Sequence, residues 1–289
     1  VQKKAVQLTF HRCDGSTWQK TTLAKGSSYS LPGVRDAEGY TFMGWSTKPM
    51  QSVSPQYEAE EKITVNGNVD LYAVVFNRTT ETDLTEDQLP QVDIYKYKQV
   101  IFVGDSRTEF MENVLTGMGE SATKNVKFVC SAGKGLDWFT TTGWAQLYSI
   151  VQHDSNSILS KKTAVIFNFG VNDLSKSADY AEYYNWIAPQ LKSKGCELYF
   201  MSVNPVNRLM LPNAGRADRS EAAVRSFNQY MKANLSSAYT YIDMYSYLKS
   251  TGYSFASDHY GTGTVDDGLH YTTRTYKRIF AKCMDSLRV

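Results

Sequence analysis

Four short blocks of the sequence contain residue types that could carry out acyl transfer. One is Gly104-Asp105-Ser106, one is the glycine-containing stretch Ser131-Ala132-Gly133-Lys134-Gly135, one is Gly170-Val171-Asn172-Asp173 and the last is Asp266-Asp267-Gly268-Leu269-His270. A serine hydrolase needs a nucleophile, a base that takes its proton, a carboxylate that orients the base, and fixed donors for the oxyanion. The four blocks together contain all of these parts.

The serine follows a short apolar run, Val100 to Val103, that is bounded by polar residues. Such a run is typical of a fully buried strand in a parallel sheet, and ligands in these folds bind just beyond the carboxyl ends of the strands. Ser106 occupies that place. Taken alone, it is predicted to be the N-cap of a helix that starts near Arg107, so the other blocks have to decide whether it has a chemical role.

From Tyr97 onward, short apolar runs alternate with longer amphipathic stretches, which predicts alternating strands and helices. The predicted strands are Val100 to Val103, Val126 to Cys130, Ala164 to Asn168, Leu198 to Val203 and Tyr239 to Ile242. The predicted helices are Ser177 to Lys194, Glu221 to Leu235 and Thr272 to Leu287. We therefore expect an α/β fold with a doubly wound, five-stranded parallel sheet over residues 98–289.

The first 77 residues have a different pattern. Apolar and polar residues alternate in Ala5 to Phe10, Asp14-Gly15 is a turn signal, and no helical period is present, which predicts an all-β module. Residues 78–97 are polar and acidic, and Leu89-Pro90 rules out a continuous helix. We interpret them as a linker between the module and the second domain.

The four blocks occur in the order typical of SGNH, or GDSL-type, hydrolases, and residues 98–289 resemble that family. Its members have a GDS serine, a glycine after the second strand, a GxND asparagine and a DxxH pair near the end. The resemblance implies a flavodoxin-like three-layer fold that needs no cofactor. It also implies that Ser106 is the nucleophile, His270 the general base and Asp267 the carboxylate that orients the base.

The same resemblance implies an oxyanion hole. Its donors would be the backbone N–H of Ser106, the backbone N–H of Gly135 and the side-chain amide of Asn172. Gly133 is the competing choice for the second donor, because the glycine-containing stretch permits a shift of two residues. The choice between the two glycines stays open.

The chain contains four histidines, His11, His153, His259 and His270. His259 directly follows Asp258, and a carboxylate in that position does not naturally point at the neighbouring ring. Asp267 precedes His270 by three residues and can bend round to its Nδ1, where it would hold the tautomer. His270 is therefore preferred as the base, with His259 as the alternative.

Residues 1–77 resemble the internalin B-repeat, or Listeria–Bacteroides repeat, a β-grasp-like module. The resemblance rests on the opening strand to Phe10, on Leu31-Pro32, on Gly39-Tyr40-Thr41-Phe42-Met43-Gly44-Trp45 and on Leu71-Tyr72-Ala73. Arg12 to Gly15 depart from the usual turn. The resemblance implies an extracellular module of a bacterial surface protein, either a spacer or a unit that contacts cell-surface or matrix components. We expect Trp45 and Tyr40 to be core residues rather than a ligand platform.

The composition limits the classes of partner. A net charge of +2 predicts no strong attraction to nucleic acid or to an anionic membrane, and no window approaches the roughly 20 apolar residues of a membrane span. The four cysteines are widely spaced and favour buried free thiols over disulfides or a zinc site. Asp105, Asp173 and Asp266 lie in separate blocks, so we interpret them as structural hydrogen-bonding groups and predict no metal.

The two resemblances imply a secreted or cell-surface bacterial enzyme, and we expect its signal peptide to be absent from this chain, which begins at Val1. The expected reaction is hydrolysis of a carboxylic ester through an acyl-enzyme, with acetyl groups on a carbohydrate as the expected substrate. A lipase, a thioesterase or an acyltransferase would use the same residues. The alternative from another class is a surface adhesion or glycan-binding protein with a silent hydrolase scaffold.

Overall fold

The computed structural model describes residues 4–94, 96–154, 162–257 and 266–287. The chain forms two compact units. The first unit comprises Val1–Glu81, Pro205–Ala222 and Ser246–Leu269, and the second comprises Thr82–Asn204, Ala223–Tyr245 and His270–Val289. The N-terminal module therefore shares its unit with two later segments of the chain. The domain boundaries expected near residues 77 and 98 stay a prediction.

The N-terminal module contains six strands: β1 (Ala5–His11), β2 (Thr17–Ala24), β3 (Ser27–Ser30), β4 (Tyr40–Ser46), β5 (Lys62–Val65) and β6 (Val69–Asn77). They form a four-stranded sheet in the order β2-β1-β6-β4 and a small sheet of β3 and β5. β1 and β2 pair antiparallel across Asp14-Gly15, which confirms the turn signal there. β1 also pairs parallel with β6.

Aromatic rings fill the core of this module. Trp45 is completely buried, packs against Phe10 with ring centroids 4.8 Å apart, and donates its indole N–H to the carbonyl of Pro32 at 2.8 Å. The expectation that Trp45 is a core residue is confirmed. Tyr40 is 43% exposed, so the same expectation is wrong for Tyr40, which is the first residue of β4 and lies at the rim of the sheet.

The remaining chain alternates strands and helices. The strands are β7 (Tyr97–Gly104), β8 (Val126–Cys130), β9 (Lys162–Asn168), β10 (Cys196–Met201), β11 (Tyr239–Ile242), β12 (Phe255–Ser257) and β13 (Asp266–Tyr271). The helices are α1 (Ser106–Met118), α2 (Leu136–Trp138), α3 (Trp144–Asp154), α4 (Ser177–Ser193), α5 (Glu221–Asn234), α6 (Met244–Thr251) and α7 (Thr273–Ser286). A π-helical turn over Phe139–Gly143 joins α2 to α3.

The five predicted strands form one parallel sheet in the order β11-β10-β9-β7-β8. This is the flavodoxin-like strand order. The direction in which successive strands are added to the sheet reverses between β7 and β9, and ligands bind outside the carboxyl ends of these two strands. Ser106 follows β7 and Asn172 follows β9. The predicted fold class is confirmed, and the sheet brings two of the four blocks to its switch point.

Helices α4, α5 and α7 agree with the prediction to within one residue at each end. The prediction did not include α3, α6 or the pairing of β12 with β13. The last of these places the Asp266–His270 block in a two-stranded sheet. No helix in the described ranges is long and apolar enough to cross a membrane.

All four cysteines are free thiols. Cys196 and Cys283 are buried, as expected, and Cys130 is half-buried. Cys13 is exposed because it lies in the turn between β1 and β2, so the expectation of burial is wrong there.

Candidate active site

The junction between β7 and α1 presents the serine. Val100, Ile101 and Val103 are completely buried in the central strand of the sheet. Gly104 ends the strand at a point where a Cβ atom would lie 2.0 Å from Oγ1 of Thr108 and 2.8 Å from the carbonyl oxygen of Asn168. The side-chain hydrogen of glycine lets helix α1 begin directly against the neighbouring strand.

Asp105, and not Ser106, is the N-cap of α1. Its carboxylate accepts a hydrogen bond from the backbone N–H of Arg107 at 3.0 Å. Ser106 is the first helical residue, so the expectation that Ser106 caps a helix starting near Arg107 is wrong. Because Asp105 supplies the cap, the hydroxyl of Ser106 is available for another partner.

That partner is His270. Its Nε2 lies 2.9 Å from Oγ of Ser106, and both side chains are buried. A histidine that takes the serine proton must accept at Nε2 and carry its own proton on Nδ1. The distance and the burial satisfy the geometric requirement for a nucleophile and its general base.

Two further residues pack around this pair. The ring of Phe110, one turn along α1, meets the His270 imidazole edge-on with centroids 4.5 Å apart. The buried guanidinium of Arg107 donates to the carbonyl of Asn204 at 2.9 Å and lies 5.2 Å from the ring centroid of Tyr271, the residue after His270. Phe110 and Arg107 therefore limit the movement of the strand end that carries the histidine.

Asp267 lies in the first unit and is completely buried. Its Oδ1 accepts from the N–H of Leu269 at 2.8 Å, and its Oδ2 lies 3.4 Å from a guanidinium nitrogen of Arg216. In a regular strand, residues three apart face opposite sides of the sheet. Gly268 has φ +66°, which interrupts that alternation between Asp267 and His270. The role of Asp267 in orienting His270 stays a prediction.

The glycine-containing loop after β8 contacts the block after β9 in the second unit. The amide of Asn172 donates to the carbonyl of Lys134 at 2.8 Å. Oδ2 of Asp173 accepts from the N–H of Leu136 at 2.9 Å, and Oδ1 accepts from the hydroxyl of Tyr180 at 2.8 Å. Burial raises the pKa of Tyr180, which keeps its hydroxyl a donor. These bonds bring Asn172 beside the residue that precedes Gly135.

The two candidate glycines differ in their surroundings. Gly133 has φ +70°, and a Cβ added there would lie in open space. Gly135 is extended, directly precedes α2, and has the Asp173 carboxylate 2.3 Å from where a Cβ would lie. Within the part of the chain that the structure describes, neither N–H donates to a protein acceptor, and neither does that of Ser106.

Two of the three aspartates that were interpreted as structural hydrogen-bonding groups have the partners expected of such groups. Asp105 and Asp173 bind backbone N–H groups, as predicted. Asp266 instead forms an ion pair with Arg78 at 2.5 Å. No cluster of three or more histidine, cysteine or acidic residues that could hold a metal ion occurs in the described ranges.

The other histidines lie elsewhere. His11 is in the N-terminal module, where its Nε2 is 2.8 Å from a carboxylate oxygen of Asp70. His153 belongs to α3. His259, the alternative base, lies outside the described residues.

Sequence reasoning missed several residues that contact the site blocks. Phe110 was not singled out, although its position four residues after Ser106 places both on one face of a helix. Arg107 directly follows the serine and could have been suspected from that position. Arg216 and Arg78 had no local signal, because their partners Asp267 and Asp266 are distant in sequence.

Comparison with known proteins finds two families along this chain. Residues 7–74 match the Listeria-Bacteroides repeat domain, and residues 100–283 match the GDSL-like lipase/acylhydrolase family. No match was found among curated proteins.

Several solved structures are similar to the chain. An acetyl xylan esterase shares 11% identity over 65% of this chain and 99% of its own, with a TM-score of 0.42. The C-terminal catalytic domain of peptidoglycan O-acetyltransferase A from Streptococcus pneumoniae shares 16% identity over 67% of this chain and 94% of its own, with a TM-score of 0.39. The protein YXIM from Bacillus subtilis shares 14% identity over 99% and 98% of the two chains, with a TM-score of 0.41.

Proposed function

The chain belongs to the GDSL-like lipase/acylhydrolase family, and on that basis we propose that it is a serine esterase that removes acetyl groups from a carbohydrate. The observation that carries the proposal is the 2.9 Å contact between Oγ of Ser106 and Nε2 of His270 at the carboxyl edge of the parallel sheet. That contact pairs a nucleophile with a base in a buried position.

In the proposed reaction, Oγ of Ser106 attacks the carbonyl carbon of the ester while its proton moves to Nε2 of His270. The tetrahedral intermediate collapses when the imidazolium donates that proton to the leaving alkoxide, which departs as the alcohol. A water molecule then attacks the acyl-enzyme and gives a proton to His270. The second tetrahedral intermediate collapses as that proton passes to Oγ of Ser106, the bond from Oγ to the acyl carbon breaks, and the carboxylic acid leaves. Asp267 orients the imidazole through Nδ1 in this scheme.

The negative charge of each tetrahedral intermediate requires fixed donors. We assign the N–H groups of Ser106 and Gly135 and the amide of Asn172 to this role. The N–H of Ser106 is at the first position of α1, where it has no intrahelical acceptor and where the helix dipole favours negative charge. Rotation of the Asn172 amide away from the Lys134 carbonyl would let it reach a substrate oxygen.

The choice of an acetylated carbohydrate is the finer part of the proposal. It is supported by the repeat domain at residues 7–74, whose resemblance to modules of bacterial surface proteins also supports an extracellular location. Long acyl esters, thioesters and transfer of the acyl group to another sugar use the same residues. A substrate panel therefore has to separate these possibilities.

Two measurements test the proposal. A fluorophosphonate probe should label the wild-type chain and leave Ser106→Ala unlabelled, and a wild-type chain that does not react would contradict a serine esterase. Acetate release should then be measured from acetylated glycans beside short and long acyl esters. Cleavage of long acyl esters alone would contradict the carbohydrate substrate, and appearance of acetylated acceptor sugars would indicate transfer.

A second candidate function is ligand binding by the N-terminal module. A cavity of about 210 Å³ in this module has a mostly apolar lining that includes Trp18, Tyr40 and Arg12. Trp18 and Tyr40 are 40% and 43% exposed, and Trp18 stacks on the buried Trp45 at 5.9 Å. Exposed aromatic rings beside a cavity of this kind are a common basis for binding a ring-shaped ligand.

Calorimetric titration of the Ser106→Ala chain with the same glycans tests this candidate without turnover. We expect Trp18→Ala to weaken binding, while Trp186→Ala, which removes an exposed tryptophan in α4, leaves the affinity unchanged. Equal affinity of the two variants would contradict a binding role for this cavity.

A further inference from the structure

Arg78 lies directly after β6 and makes three contacts with its guanidinium group. Nη2 is 2.8 Å from Oδ2 of Asp36, Nη1 is 2.5 Å from Oδ2 of Asp266, and Nε donates to Oγ1 of Thr41 at 2.9 Å. Its backbone N–H donates to the carbonyl of Gly39 at 2.9 Å. The guanidinium therefore connects two carboxylates and has little freedom to rotate.

Asp36 is itself held on its other oxygen. Oδ1 accepts from the N–H of Phe42 at 3.0 Å and from the amide of Asn207 at 2.8 Å. Burial raises the pKa of Asp36 to about 6, a net value that already includes the opposing effects of Arg78 and the hydrogen bonds. The carboxylate is therefore ionised at neutral pH. An ionised Asp36 gives Arg78 a fixed counter-charge.

Asp266 immediately precedes Asp267, the carboxylate assigned to orient the base. On the other side of Asp267, the carbonyl of Gly268 accepts from the N–H of Asn207 at 2.9 Å. The side-chain amide of this same Asn207 donates to Asp36. Both neighbours of Asp267 in the chain are therefore held in place: Asp266 by the ion pair with Arg78, and Gly268 by the hydrogen bond from the Asn207 backbone.

All of these residues belong to the first unit, which contains the Listeria-Bacteroides repeat domain. Arg78 and Asp266 are partly buried and the side chain of Asp36 is completely buried, so the charges lose water when the ion pairs form, and an isolated structural contact could be made at lower cost by apolar residues. The charges here converge on the residue that precedes Asp267. This placement indicates a role in geometry rather than in stability alone.

We propose that Arg78, held by Asp36, is a positioning residue that fixes the backbone at Asp266 and thereby the carboxylate of Asp267. The repeat domain, which contributes Asp36 and Thr41 to the contacts of Arg78, then has a role in the esterase beyond that of a spacer. This inference rests on the proposed function, because it assigns a task to residues around the orienting carboxylate. Arg78 acts through Asp266 and does not contact the substrate.

The test compares Arg78→Met with Arg78→Lys in the full chain. Methionine keeps much of the aliphatic length and removes the charge, and lysine keeps the charge without the planar fork that binds two carboxylates. Arg274→Met is the matched control, because Arg274 has an exposed ion pair with Asp83 at 3.6 Å, which contributes little. The readouts are kcat and KM for 4-nitrophenyl acetate, the rate of fluorophosphonate labelling, and the fraction folded by circular dichroism.

We expect Arg78→Met to lower kcat by about 10- to 100-fold, the range typical of a displaced catalytic group. KM should stay within about twofold of the wild-type value, because binding of the ester does not use Arg78. Arg78→Lys should be intermediate, and Arg274→Met should match the wild type in kcat, KM and folded fraction. A purely structural role would lower the folded fraction and leave kcat per folded molecule unchanged.

Equal kcat values for Arg78→Met and Arg274→Met would overturn the inference, as would a loss of activity that follows the unfolded fraction. If Arg78→Met does not fold, Asp36→Asn tests the inference in its place. Asparagine keeps the shape of the Asp36 side chain and removes the counter-charge of Arg78. We expect this variant to lower kcat at unchanged KM, and unchanged kcat would contradict the inference. A wild-type chain that neither turns over nor reacts with the probe would instead contradict the esterase itself.

Discussion

The segment that carries Ser106 and the segment that carries Asp267 are held by different kinds of contact. Ser106 is fixed by its immediate neighbours, since Gly104 ends a buried strand and Asp105 caps the helix on which the serine lies. Asp267 accepts from the nearby N–H of Leu269, but it is also held by side chains that are distant in sequence, among them Arg216 and, through Asp266, Arg78. The nucleophile depends on local backbone structure, whereas the acid segment depends on a network of charges.

This difference has a consequence for mutations. A helix N-terminus at the end of a buried strand is maintained by the whole core, so substitutions around Ser106 should either be tolerated or abolish the fold. A network of ion pairs can lose one member and keep the others, so substitutions around Asp267 should give graded effects. Replacing the reacting groups themselves should give the largest loss of kcat in either segment.

The largest effect is expected for Ser106→Ala. Removing the nucleophile leaves only the binding and oxyanion contributions, and in another serine hydrolase such a change costs about 10⁶-fold in kcat. The measurement is hydrolysis of 4-nitrophenyl acetate, with Ser193→Ala as the control because this exposed hydroxyl only bonds the carbonyl of Gln190 at 2.7 Å. Residual activity of Ser106→Ala above a tenth of the wild-type value would assign the nucleophile elsewhere.

Asp267→Asn should have the next largest effect. The amide keeps the size of the carboxylate but cannot hold the productive tautomer of His270, a change that costs about 10⁴-fold in a related triad. We expect kcat to fall by about 10³- to 10⁴-fold at unchanged KM. Asp258→Asn is the matched comparison, since Asp258 precedes the alternative base. A larger loss of kcat for Asp258→Asn would assign the role of general base to His259 instead of His270.

The contrast between the two segments also explains how much could be predicted from the sequence. The apolar run of β7, the Gly-Asp-Ser block and the alternation of strands and helices are local signals, and they predicted the five parallel strands. The Asp-x-x-His spacing marked Asp267 and His270 as candidates. Local signals were sufficient wherever neighbouring residues determine the structure.

The long-range network was not predictable, because no periodicity relates Asp36 or Arg78 to Asp266. Arg78 was assigned to a linker on the basis of the polar composition that follows it. The cap was also assigned to the wrong residue, since Asp105 and Ser106 are both good N-caps and only the backbone geometry distinguishes them. Tertiary contacts decided each of these cases.

The charge network should be visible in the pH dependence of stability. Burial raises the pKa of Asp36 from 3.8 to about 6, so the folded state binds this proton more tightly than the unfolded state. The free energy of unfolding should therefore fall as the pH rises from about 4 to about 6, by about 3 kcal/mol from this group. Urea unfolding of the wild type and Asp36→Asn measures the effect, which the variant should lack.

Asp83 provides a control of opposite sign. A hydrogen bond from Lys277 lowers the pKa of this largely exposed carboxyl, so its contribution to stability is lost as the pH falls below about 4. Asp83→Asn should leave the fall between pH 4 and 6 unchanged. If Asp36→Asn and the wild type show the same curve in that window, Asp36 does not take up the proton there.

The smallest effect on kcat is expected in the loop after β8. Gly135→Ala introduces a steric clash, whereas Gly133→Ala introduces backbone strain, so the two variants distinguish these causes. A Cβ at Gly135 would lie 2.3 Å from Oδ2 of Asp173, the oxygen that accepts from Leu136, so the loop must shift. We expect kcat to fall by about tenfold, because a small displacement of an oxyanion donor weakens its bond in the transition state.

Gly133→Ala places a Cβ in open space but forces alanine to adopt φ +70°. The expected result is a loss of about 1 kcal/mol in stability with unchanged kcat, measured by thermal unfolding and ester hydrolysis. The amide N–H survives in both variants, so any fall in kcat reports displacement of the donor. A larger fall for Gly133→Ala than for Gly135→Ala would make Gly133 the oxyanion donor, and this segment would then depend on a strained backbone position rather than on contact with Asp173.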